Sequence, residues 1–163
     1  MYRALGYLTL ALSVAASSCG SSDTSDLGTD PGISLVTNGT FTASVNGTAW
    51  GALGKVIVSR PTATSIAFFA TSTTYALNIV MLNVSGPGTF SLNSAVSNGN
   101  QASISSLTGG WNSGNTGGTG SVVITALTSN HVVGTFAFDG PPTPGTGATT
   151  TIHVTNGKFD LTF

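Results

Sequence analysis

The sequence predicts an all-β fold, an antiparallel β-sandwich of about ten short strands, with a small closed β-barrel as the alternative. Three observations predict it. From Asn38 onward no window repeats its apolar residues at helical spacing, whereas short runs alternate apolar and polar residues. Gly, Asn and Pro separate those runs, as turns require. The composition, 40% hydrophobic with a net charge of −1, is the opposite of the low hydrophobicity and high charge that keep chains unfolded. The same near-neutrality gives no electrostatic reason to bind nucleic acid. The single cysteine excludes an intrachain disulfide, so the core must carry the stability.

The first element is not part of the domain. Residues 1–18 have the three parts of a signal peptide: Arg3 in a short n-region, an apolar run over 4–15, then small residues. That run is shorter than the roughly 20 residues a membrane-spanning helix needs, so it is read as removable. Ala16-Ser17-Ser18-Cys19 resembles the bacterial lipobox, with Ala16 where that pattern prefers Leu. The resemblance implies that the Cys19 sulfur takes a diacylglycerol, and the lipid becomes the partner that holds the protein to a membrane. Acyl chains contribute about 0.8 kcal/mol per buried CH₂, so two or three anchor a protein stably. Gly20 replaces the Asp that favours inner-membrane retention, which points to the outer membrane. Residues 19–34 then form a lipidated, flexible tether, rich in Gly, Ser and Thr and almost without apolar residues. Its Asp23, Asp26 and Asp30 lack the spacing of an EF-hand loop.

The domain is expected over 35–163. Phe41, Ala43 and Val45 alternate with Thr42, Ser44 and Asn46 in the first strand. The second, 55–60, stops at Pro61, and the third covers 65–71. Residues 75–84 are apolar on both faces and read as a central strand. Strands at 89–92, 101–107, 121–128, 132–139, 149–155 and 158–163 complete the set. Asn46-Gly47 and Asn156-Gly157 are type I′ hairpin signals. The second predicts a register: Val154 opposite Phe159, Ile152 opposite Leu161, and His153 opposite Asp160. The four apolar residues then face the core and the His–Asp pair faces out. Ser129-Asn130 is expected to turn one strand into the next. Residues 108–120, around Trp111, and 140–147, stiffened by prolines, are expected to be loops outside any ladder.

The ordered set of motifs resembles an uncharacterised family of bacterial lipoproteins with an all-β domain of unknown function. The residues that carry the resemblance are 41–50 (FTASVNGTAW), 86–90 (GPGTF), 134–138 (GTFAF) and 155–160 (TNGKFD). It implies export, lipidation and β structure, and brings no catalytic residues.

Chemistry-bearing residues are few. Beyond the tether the charged residues are Lys55, Arg60, Asp139, Lys158 and Asp160, with His131 and His153 beside them. Asp139 and Asp160 are the only candidates for paired-carboxylate hydrolysis, and surface residues explain them better. His153 with Asp160 supplies half of a serine triad, but no G-x-S-x-G elbow accompanies it. The histidines and aspartates fit no compact zinc spacing, so no metal and no cofactor is expected. Trp50 follows a hairpin and is expected in the core. Trp111, with Asn112 and Asn115 beside it, is the candidate ligand-binding group, because a flat ring can stack on a sugar while amides bond its hydroxyls. The expected function is therefore a non-enzymatic binding or structural module of the cell envelope. A glycan or an envelope protein is its expected partner, with a carbohydrate-binding accessory protein as first alternative and a hydrolase as second. Asn38, Asn46 and Asn83 head glycosylation-type triplets but are read as turn and strand residues. The terminal Phe163 alone does not make an outer-membrane barrel, whose strands run to about 9–11 residues.

Overall fold

The computed structural model describes residues 33–36, 38–60, 62–93 and 99–163. The export segment, Cys19 and the tether as far as residue 32 lie outside the described residues. Among the described residues there is no helix, and the strands are β1 (Ile33–Val36), β2 (Asn38–Val45), β3 (Thr48–Gly51), β4 (Val56–Ser59), β5 (Ser65–Thr71), β6 (Ala76–Leu82), β7 (Gly88–Ser91), β8 (Gln101–Ser105), β9 (Gly110–Asn112), β10 (Thr119–Leu127), β11 (His131–Gly140) and β12 (Ile152–Thr162). They form two antiparallel six-stranded sheets. Sheet I has the order β1-β4-β5-β6-β8-β9 and sheet II the order β3-β2-β12-β11-β10-β7. Neither sheet closes on itself, so the fold is the sandwich and not the barrel. β1 begins at Ile33, so Ile33 and Ser34 are strand backbone paired with β4, not tether.

Alternation decides which side chains fill the space between the sheets. Val56, Val58, Ile66, Phe68, Ala70, Leu77, Ile79 and Met81 of sheet I meet Phe41, Val45, Val122, Ile124, Phe136, Phe138, Ile152, Val154, Phe159 and Leu161 of sheet II, all buried. Phe68 makes the link, its ring centroid 4.9 Å from that of Phe159 and 6.1 Å from that of Phe41. Burying each such ring contributes roughly 1.5–3 kcal/mol. Trp50 is buried as expected, and its indole N–H donates to Ser72 Oγ at 2.8 Å. β6 is an inner strand of sheet I, as its apolar character predicts.

The largest departure from expectation is β12. Asn156-Gly157 makes no hairpin, because residues 152–162 run on as one strand between β2 and β11. Phe136 stands opposite Gly157 and Phe138 opposite Val154, so the single residue between them, Ala137, spans the two residues Thr155 and Asn156. The dipeptide is a β-bulge. A hairpin turn of two residues and a bulge of one extra residue do the same thing to the alternation. Both move the inward positions from even (Ile152, Val154) to odd (Phe159, Leu161), and these four are indeed buried. The backbone separates the two cases. Asn46 and Gly47 have φ of 48° and 82°, the pair of positive values a type I′ turn needs, whereas Asn156 has φ 53° and Gly157 stays outside the left-handed region. Gly157 is required for a different reason. A Cβ there would lie 2.4 Å from the Phe136 carbonyl oxygen and 2.6 Å from its ring.

Candidate functional site

The Trp111 region is ordered by more β structure than expected. β9 lies inside the predicted 108–120 loop, with Trp111 opposite Ile104. The proline segment also takes part in pairing, which corrects the expectation that it could not. Proline lacks an N–H, but its carbonyl still accepts: Asn112 N–H donates to the Pro141 oxygen at 3.1 Å, Thr143 N–H donates to the Gly110 oxygen at 2.8 Å, and Trp111 bridges Pro142. Trp111 is half-buried against one end of the core, edge-on to Tyr75 with centroids 6.4 Å apart. Its indole N–H donates to the Thr150 carbonyl at 2.8 Å. Asn112 Oδ1 accepts from Gly114 N–H at 2.7 Å, and its amide nitrogen donates to Gln101 Oε1 at 3.2 Å. The Asn115 amide donates to the Pro142 carbonyl at 3.0 Å. All three side chains thus spend polar atoms tying the loops together.

The histidines take partners other than the expected ones. His153 does not meet Asp160. With β12 continuous, His153 stands opposite Asp139 on β11, and its Nδ1–H donates to Asp139 Oδ1 at 2.7 Å. Asp160 stands opposite Val133 and accepts from His131 Nε2–H at 2.7 Å, diagonally across the ladder. Both pairs lie on the outer face of sheet II, with side chains between 37% and 62% exposed, so water screens them. The two carboxylates sit six positions apart along the ladder, roughly 20 Å at the strand rise, against the about 5–9.5 Å of a glycosidase pair. Among the described residues no serine bonds either imidazole, and no three His, Cys, Asp or Glu side chains gather to hold a metal.

Between the two His–Asp pairs the outer face of sheet II is hollow. The depression, of about 300 Å³, is lined by Ser121 and Val123 of β10, Thr135, Phe136 and Ala137 of β11, and Asn156, Gly157 and Lys158 of β12. Its shape comes from the bulge, which bends β12, and from the short side chains at Ala137 and Gly157. Lys158 stands opposite Thr135 on one side and Thr42 on the other. Among the described residues the ion pairs are the two His–Asp pairs, so the Lys158 ammonium has no carboxylate partner. No part of this hollow was named as a site from the sequence. The signal for it was the shift of alternation at Asn156-Gly157, read there as a turn.

No family model, curated protein or solved structure matches this chain.

Proposed function

We propose that the protein is a lipid-anchored binding or structural module of the bacterial cell envelope, held outside the cytoplasm through Cys19 and without catalytic machinery of its own. The observation that carries this reading is the order of the N-terminus: an apolar run too short to span a membrane, small residues, then the only cysteine of the chain, followed by Gly20. The outer membrane is the favoured destination, and the lipoprotein family that the ordered motifs resemble is the favoured kinship. The sandwich supports the reading, because a self-contained core needs neither a disulfide nor a metal at the end of a tether. Globomycin treatment, or Cys19→Ala, is expected to change processing and to release the protein from the membrane fraction. Unchanged fractionation of the Cys19→Ala protein refutes the anchor.

A second reading, a carbohydrate-binding accessory protein using Trp111, is favoured by the adjacency of Tyr75 and Trp111 at one end of the sandwich. It requires glycan binding that Trp111→Ala abolishes on a glycan array. The inward hydrogen bonds of Trp111, Asn112 and Asn115 weigh against it.

A further inference from the structure

We propose that the hollow on the outer face of sheet II is a binding site for a saccharide that bears a carboxylate. This deepens the binding-module reading by naming a ligand class, and it does not depend on acylation of Cys19.

The argument begins with which polar groups are already used. In the Trp111 loops the candidate side chains are tied to neighbouring backbone. In the hollow, among the described residues, the Ser121 and Thr135 hydroxyls, the Asn156 amide and the Lys158 ammonium make no side-chain hydrogen bond or ion pair within the protein. Such groups offer donors and acceptors of the kind sugar hydroxyls pair with. Among them Val123 and Ala137 offer apolar surface to the carbon face of a sugar ring. The stated volume is at the lower end of that of small-molecule pockets and suits one ring rather than a long chain at once.

Charge placement selects an acid among sugars. Among the described residues Lys158 is the only cation lining the hollow, while Asp139 stands two residues beyond Ala137 on β11 and Asp160 two residues beyond Lys158 on β12. Each Asp is occupied by a histidine. A ligand carboxylate is attracted to Lys158 and repelled by the aspartate at either end, which sets its position along the face. Asn156, a non-glycine residue with φ 53°, fits the pattern in which backbone held in the left-handed region shapes binding sites. The two-for-one offset puts both Thr155 and Asn156 on the exposed face, where Asn156 lines the hollow with Lys158.

The test uses the full chain expressed with its own N-terminus in a Gram-negative host. It is taken from whichever fraction holds it, detergent-extracted membrane or periplasm, and immobilised for titration. Recovery from the soluble fraction counts against the anchor and leaves the titration intact, so the two readings fail separately. The probe is an oligogalacturonide, compared with its fully methyl-esterified form. Weak binding, with a Kd of about 0.1–1 mM, is expected for the acid form and none for the ester. Lys158→Gln is expected to weaken binding about five- to tenfold, and Ala137→Phe, which fills the hollow without changing charge, to remove it. Lys55→Gln, which removes the same charge outside the hollow, is expected to change nothing. Absence of binding, equal binding of acid and ester, equal loss in the two lysine variants, or full affinity in a folded Ala137→Phe protein each overturns the proposal.

Discussion

Asn46-Gly47 and Asn156-Gly157 are the same dipeptide between strands of alternating residues, yet the first reverses the chain and the second only offsets it. In both, Asn takes a positive φ, 48° and 53°. The second residue differs. Gly47 continues into the left-handed region and closes the β2–β3 hairpin, with Val45 opposite Thr48. Gly157 returns to extended backbone, and β12 keeps β2 on one side and β11 on the other. Folding residues 158–163 back on 149–155 would make one short ladder. It would strip β2 of its partners for Asn38–Thr42 and β11 of its partners for His131–Thr135. The continuous strand satisfies both neighbours, and unpaired backbone is costly when buried. A dipeptide therefore sets one dihedral, and the surrounding sheet sets the next.

The comparison can be broken by inserting an alanine between Gly157 and Lys158. In a continuous strand the added residue flips the alternation, so Phe159 and Leu161 face out and Lys158 and Asp160 face the core, whereas a hairpin would absorb it in the turn. The expected loss exceeds about 5 kcal/mol, comparable with the whole stability of a domain, so denaturant unfolding should lose its cooperative transition. A protein that keeps native-like stability after the insertion rules out the bulge. A sharper contrast comes from the glycines. Gly157→Ala should cost about 3 kcal/mol by urea denaturation, because its Cβ meets the Phe136 backbone and ring. Asn46→Ala should cost about 2 kcal/mol, since Asn46 Oδ1 accepts from His153 N–H at 2.8 Å and its φ suits Asn. Gly47→Ala meets no atom within 4 Å and pays only for its φ of 82°, about 1 kcal/mol. Equal losses at Gly47 and Gly157 would mean that both dipeptides are hairpin turns. The smallest effect belongs to the new partner of His153. Asp139→Asn should change stability by no more than about 0.5 kcal/mol, as expected of an exposed pair, and should shift the His153 ring resonances while leaving those of His131 in place. A shift at His131 instead of His153 would contradict the pairing.

The strands at 65–71, 121–128 and 132–139, and the turn at Ser129-Asn130, were legible because each depends on local alternation and local turn chemistry. Thr128 N–H donating to the His131 carbonyl at 2.9 Å closes that turn. β3 and β9 were missed for different reasons. β3 has four residues and no apolar alternation beyond Trp50. β9 has three residues inside a glycine-rich stretch and pairs with the main chain of β8, which no side-chain pattern announces. The candidate site moved for a related reason. Trp111, Asn112 and Asn115 have the right chemistry for a ligand, but long-range hydrogen bonds to residues 101, 142 and 150 use it. The hollow is made by small residues from three strands and by one bulge, and nothing in any single strand marks it.

By itself the sequence determined that the domain is built of strands, that Ile152, Val154, Phe159 and Leu161 face inward, and that alternation shifts by one position at Asn156-Gly157. Those follow from side-chain period and dihedral preference, which act within a few residues. Only the tertiary structure decided that the shift is a bulge within one strand, that His153 meets Asp139 and His131 meets Asp160, and that Trp111 turns its N–H inward. The reason is that a strand's hydrogen bonds lie across it, in partners far away in the chain, and a pattern along the chain holds no record of which partner that is.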